Sequence, residues 1–146
     1  MRSNIRLNPS YKVRKREKMR QIFLGIFISS AVSGVSFAQD ATLGEKVFIK
    51  CKVCHQIGDG AKTLVGPELN GIVGRHSGSV DGFSYSPGMK NSNLTWTDGN
   101  LSEYLKNPKQ KVPGNKMAFV GLSKPDDISN VIAYLKQFDA SGKKTP

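Results

Sequence analysis

The sequence predicts a small all-α domain in which a few short helices are joined by long glycine-rich loops, and three observations predict it. First, Ile128, Val131, Ile132 and Leu135 recur at offsets 0, 3, 4 and 7, the spacing of one apolar helix face. Second, residues 56–85 hold seven glycines at irregular spacing, with neither helical periodicity nor the alternation of a strand. Third, the five residues Cys51-Lys52-Val53-Cys54-His55 stand at the junction between a predicted first helix and those loops.

Cys-x-x-Cys-His is the pattern on which c-type haem is attached. Two thiols three positions apart can each add to one vinyl group of a porphyrin, and the adjacent imidazole can supply the proximal iron ligand. A thioredoxin-like dithiol would need a preceding strand and a βαβ context, which this sequence does not offer. A zinc site would need a second pair of ligands, but there is no third cysteine and the other histidine is His76. The motif therefore implies one haem c, bound through Cys51 and Cys54.

The formal charge of +11 could suggest nucleic acid, but its distribution removes most of the support for that class. Residues 1–38 carry eight basic side chains and one acidic one, whereas residues 39–146 carry 14 and 10. The basic segment reads as an export signal: Met19-Arg20, an apolar run from Gln21, then small residues ending in Ser36-Phe37-Ala38. Cleavage after Ala38 would leave a domain of residues 39–146. The 16 residues from Ile22 to Phe37, with four serines and two glycines, fall short of the roughly 20 apolar residues of a membrane span. A tethered form would retain residues 19–38. Residues 1–18 make a long n-region, so translation could equally begin at Met19. The expected compartment is the periplasm. A domain of 108 residues with both cysteines committed to haem has no disulfide staple, so the porphyrin would supply much of its core.

Residues 39–50 read as the first helix. Asp40 or Thr42 can cap it, Thr42-Leu43-Gly44-Glu45 fits a capping box, and Leu43, Val47 and Ile49 or Phe48 form its apolar face. Gly44 inside this helix costs about 1 kcal/mol relative to alanine, and close approach by another helix would explain it. The glycines of 56–85 match no phosphate-binding pattern and suit a chain that wraps a flat group. Thr97-Asp98-Gly99-Asn100 has capping chemistry and opens a helix with Leu101, Tyr104 and Leu105 on one side, which ends at Asn107-Pro108. Pro125 stands in the first turn of the last helix. The tail from Ser141 reads as frayed.

Haem iron held by one histidine can stay five-coordinate or take a second protein ligand. Met89, Met117 and His76 are the candidates. Met89 lies 34 residues past His55 in a segment without an apolar wall. Met117 lies 62 residues past it, between Pro113-Gly114 and Ala118-Phe119-Val120, in a loop able to lean over the opposite haem face. His76 stands in a polar loop and reads as solvated.

These residues carry a family resemblance across residues 40–138. Cys51-x-x-Cys54-His55, Gly66-Pro67, Gly74-Arg75, Gly82-Phe83-Ser84-Tyr85, Leu94-Thr95-Trp96, Asn107-Pro108, Pro113-Gly114-x-Lys116-Met117-x-Phe119 and Ile132-Ala133-Tyr134-Leu135 occur in the order and spacing of a class I cytochrome c. The chain resembles the mitochondrial-like type of the proteobacterial periplasm. The resemblance implies the class I fold, with His55 and Met117 as iron ligands and the Pro67 carbonyl bonded to His55. It implies Tyr85 and Trp96 as donors to a buried propionate, with Arg75 nearby. Tyr104 would bond near the Met117 sulfur and Phe119 would close the haem edge. Gly44 and Phe48 would pack against Val131 and Tyr134.

Three departures from the family pattern stand out. Asn115 replaces a hydroxyl residue, Met89 replaces an asparagine, and Leu64, Gln110 and Ser123 thin the lysine ring that Lys50, Lys62, Lys109, Lys116 and Lys124 maintain. The implied function is one-electron transfer without catalysis, by a monomer shuttling between quinol–cytochrome c reductase and cytochrome c oxidase or another haem enzyme. Its docking to those membrane complexes would be transient. The rival is a five-coordinate haem peroxidase or gas-binding cytochrome.

Overall fold

The computed structural model describes residues 39–145; the expected leader, residues 1–38 with the alternative start at Met19, lies outside the described residues. The order of elements is α1 (Ala41–Phe48), α2 (Pro87–Lys90), α3 (Asp98–Lys106), α4 (Pro108–Lys111) and α5 (Pro125–Lys136). Among the described residues, extended pairing is confined to two isolated bridges, His76 with Thr95 and Phe138 with Lys144. The expected all-α class is what the chain adopts.

Of the two expected caps on α1, Asp40 is used. Its Oδ1 accepts from the amides of Thr42 and Leu43 at 2.7 and 3.1 Å, satisfying two donors that have no partner within the helix. The backbone amide of Asp40 donates to Asn130 Oδ1 on α5 at 2.9 Å, so the cap also ties the start of the domain to its last helix. Val47 and Phe48 are buried, whereas Leu43 and Ile49, expected on the same face, are 45% and 61% exposed. The face is narrower than periodicity suggested because α1 meets its neighbour through Gly44.

That neighbour is α5, which makes the most extensive helix–helix contact of the domain. A Cβ on Gly44 would lie 2.0 Å from the Asn130 carbonyl oxygen and 2.8 Å from Tyr134 Cβ. The helices cross backbone to backbone, and no side chain fits between them. Phe48 and Tyr134 flank the crossing with ring centroids 5.2 Å apart, a tilted pair of the kind that adds to plain burial. Ile128, Val131, Ile132 and Leu135 are all buried, as their spacing predicts.

Thr97 caps α3 through Oγ1, which accepts from the Asn100 amide at 3.2 Å. The helix ends at Lys106, but Asn107-Pro108 does more than stop it. Asn107 turns out of the helix and its side chain caps α4, with Pro108 at the first position where its missing N–H is harmless. Up to Thr145 the tail is bonded to the domain rather than frayed. Thr145 donates to the Gln137 carbonyl at 2.7 Å, and Lys144 Nζ lies 5.5 Å from the Phe138 ring centroid. Gly142 packs against the Gly58 carbonyl where a Cβ would come within 2.2 Å.

The crossing yields a direct expectation. Gly44→Ala should destabilise the holoprotein by about 3 kcal/mol, because overpacking against backbone cannot be relieved by a rotamer change. Guanidinium unfolding measures it, and a loss below about 1 kcal/mol would mean that the helices can separate cheaply.

Candidate functional site

The chain leaves α1 in a tight run of turns. Cys51 N donates to Phe48 O at 2.8 Å and His55 N to Cys51 O at 2.9 Å, so the motif is wound on directly from a buried helix end. This winding brings Cys51, Cys54 and His55 onto one cavity of about 420 Å³, within the size range of cofactor sites. Its apolar wall comes from several elements, with Phe48 of α1, Met89 of α2, Leu101 of α3 and Leu135 of α5. Pro67, Arg75, Tyr85, Trp96, Tyr104, Met117 and Phe119 also line it, so every predicted site residue converges there.

His55 Nδ1 lies 2.7 Å from the Pro67 carbonyl oxygen. A carbonyl only accepts, so Nδ1 carries the proton and Nε2 keeps its lone pair. The ring lies against Gly66, where a Cβ would stand 2.4 Å from Cε1 and 2.7 Å from Nδ1. Sequence reading placed Gly66 in the motif without seeing this seat, because a contact between residues 55 and 66 has no periodic signal. Burial holds the imidazole pKa below its ordinary value; the Pro67 bond opposes this and the Arg75 cation reinforces it. The ring is therefore neutral at neutral pH, the form that binds metal.

Burial pushes the Cys51 thiol up to about 11, the nearby Lys50 opposing and Cys54 adding a little. Burial likewise pushes Tyr104 up to about 12, so its phenol stays protonated and can donate. It donates to Met117 Sδ at 3.7 Å. Tyr104 and Trp96 form a tilted pair with centroids 4.9 Å apart, and Phe83 packs edge-on to Tyr85 at 4.7 Å. Tyr85 Oη accepts from the Val80 amide at 3.4 Å.

Three residues behave differently from their sequence description. Arg75 donates to Glu68 Oε1 at 2.7 Å, to the Glu68 carbonyl at 2.8 Å and to the Asn70 carbonyl at 3.0 Å. It is an internally paired cation, and Glu68 went unnoticed. Met89, expected without an apolar wall, is 8% exposed in the core, because Ser86 caps a short helix that turns it inward. His76 is exposed as expected, yet it stands among the residues lining the cavity.

The donor set fits a covalent haem. Two thiols and a seated imidazole with a free Nε2 share one apolar cavity, and the glycine behind the imidazole leaves room only for its ring. The fold and this site together define a c-type cytochrome of class I. Comparison with known proteins places the chain in a family: a model of the cytochrome c family matches residues 41–139, and the chain belongs to that family. It is 51% identical to cytochrome c2 of Blastochloris viridis over 126 residues, covering 86% of this chain and 99% of that protein. It is 53% identical to cytochrome c-550 of Nitrobacter winogradskyi over 104 residues, 71% of this chain and 95% of that one. Among solved structures, cytochrome cH from Methylobacterium extorquens superposes with a TM-score of 0.63 at 45% identity, covering 67% of this chain and 98% of that chain. The chain thus carries one covalent haem c through Cys51 and Cys54 and serves electron transfer rather than catalysis.

The seat of His55 is open to test. Gly66→Ala should displace the ring, lengthen its bond to Pro67 and destabilise the holoprotein by about 2 kcal/mol. NMR shifts of the His55 ring protons report the first effect and guanidinium unfolding the second; unchanged ring shifts would show that the seat is not needed.

Proposed function

We propose that the chain is a soluble periplasmic one-electron carrier with His55 and Met117 as its two iron ligands. It takes electrons from quinol–cytochrome c reductase and delivers them to a terminal oxidase or another haem enzyme. The observation that carries this reading is the set of groups on one cavity: two attaching cysteines, an imidazole with Nδ1 engaged, and a methionine sulfur oriented by Tyr104.

Haem bound here supplies a ferric/ferrous couple. The chain tunes that couple in three ways. Pro67 fixes the imidazole tautomer and raises its basicity as a ligand. Tyr104 holds the Met117 sulfur by a hydrogen bond from a phenol that stays protonated. Both ligands are neutral and the wall is apolar, which favours the less charged ferrous state and raises the potential. Tyr85 and Trp96 offer donors for an anionic propionate, while the Arg75–Glu68 pair keeps the net charge there near zero. Met117 as a second iron ligand would leave no site for oxygen or peroxide, which weighs against the five-coordinate alternative.

Docking to an acidic partner draws support from the lysines, of which Lys50 and Lys116 line the cavity. Lys50 is held at 3.7 Å from Asp127, but Lys62, Lys109, Lys116 and Lys124 have no acidic partner among the described residues. Val53 and Val65, 79% and 77% exposed, stand on the cavity's lining and offer apolar contact. No helix among the described residues is long and apolar enough to cross a membrane.

Met117→Ala should leave haem attached while opening the sixth position. The oxidised protein should lose its red thioether-to-iron band, bind cyanide or carbon monoxide, and show a lower potential; persistence of the band would move the ligand assignment to Met89. Replacing Lys62 and Lys116 together by Gln should slow the second-order rate with an acidic oxidase several-fold at low salt. The difference should close as salt rises and the screening length falls below about 10 Å. Lys143→Gln is the control, because Lys144 packs on Phe138 and is not a free tail charge.

A further inference from the structure

The side chain of Asn115 is used almost to capacity. Nδ2 donates to the carbonyls of Pro108 and Val112, both at 2.8 Å, and Oδ1 accepts from the Met117 amide at 2.9 Å. A primary amide has two donors and a two-lone-pair acceptor, whereas a hydroxyl has a single donor and could not make all three bonds. The carbonyls it grips belong to fully buried residues. Pro108 and Val112 are among the largest fully buried residues, and they bracket α4, which Asn107 caps at its start.

The loop between those anchors and Met117 is also pressed from its other side. A Cβ on Gly88 in α2 would lie 2.2 Å from the Pro113 carbonyl oxygen, so that helix packs backbone to backbone on the loop. Lys116 and Ala118 on either side of Met117 are exposed. The Asn115 side chain thus ties this exposed segment to the buried core, beside the bond from its own amide to the Val112 carbonyl at 3.2 Å.

We propose that Asn115 is a positioning residue that clamps the Met117 loop, so that release of the methionine from its place requires its three hydrogen bonds to open together. The inference rests on the reading of Met117 as the sixth ligand. It predicts a carrier whose iron is guarded against exogenous ligands by a side-chain amide, independently of the Tyr104 contact to the sulfur.

The test uses ferric holoprotein and two readouts, the rate of cyanide binding and the hydrogen exchange of the Met117 amide. In Asn115→Ala the red band should persist without cyanide, while cyanide binds about tenfold faster or more, as expected when several net hydrogen bonds are lost. Exchange at Met117 should accelerate by a similar factor, with amides of α1 and α5 unchanged, which general destabilisation would not produce. Wild-type values for both readouts would overturn the clamp, as would acceleration spread evenly over all amides. Should Asn115→Ala not accumulate, Asn115→Ser, with one donor and one acceptor, decides by the same readouts. A wild-type protein without the red band would overturn the ligand reading, while exchange at Met117 would still decide the clamp.

Discussion

The approach of α1 to α5 at Gly44 is the constraint on which the rest of the domain depends. With 2.0 Å between a would-be Cβ and a backbone oxygen, the two helices can meet only here and only through glycine. The crossing buries Phe48, the last residue of α1, to 1% exposure. Because Cys51 and Lys52 bond back to the Phe48 carbonyl, the attachment motif leaves the helix from a fixed point. The position of the two thiols and the imidazole is therefore set by a helix contact made seven or more residues earlier.

A domain this small has little protein to fill its centre, and its loops follow from that. Between the motif and α2 the backbone repeatedly adopts positive φ, at Gly71 and Gly74 for example, so that it can fold around a flat group. Such loops need external ties. Gly71 N donates to the Phe138 carbonyl, Asn70 bonds Gly58 in both directions, and the C-terminal residues close over the same region. The last residues are thus part of the support behind the haem-binding loop.

Neutrality organises the site itself. The imidazole and the phenol are kept uncharged because burial penalises their charged forms, and the Met117 thioether has no charge to lose. Arg75, whose side chain is half-buried on the wall, is matched by the Glu68 carboxylate and by the carbonyls of Glu68 and Asn70.

The sequence by itself determined the fold class, the covalent cofactor, the helix faces of α3 and α5 and the residues that gather around the cavity. The helix faces and the attachment motif follow from local spacing: a five-residue motif, a 3.6-residue period, caps and prolines at helix starts; the residues around the cavity came from the family resemblance. The tertiary structure alone decided what depends on contacts between distant residues. The ring seat on Gly66, the pairing of Arg75 with Glu68, the inward turn of Met89 and the ordered tail belong to this group. So do the outward turn of Leu43 and Ile49 and the triple bonding of Asn115. Such contacts are chosen by which backbones come close enough to exclude a Cβ or satisfy a carbonyl, and that is known only once the helices have crossed.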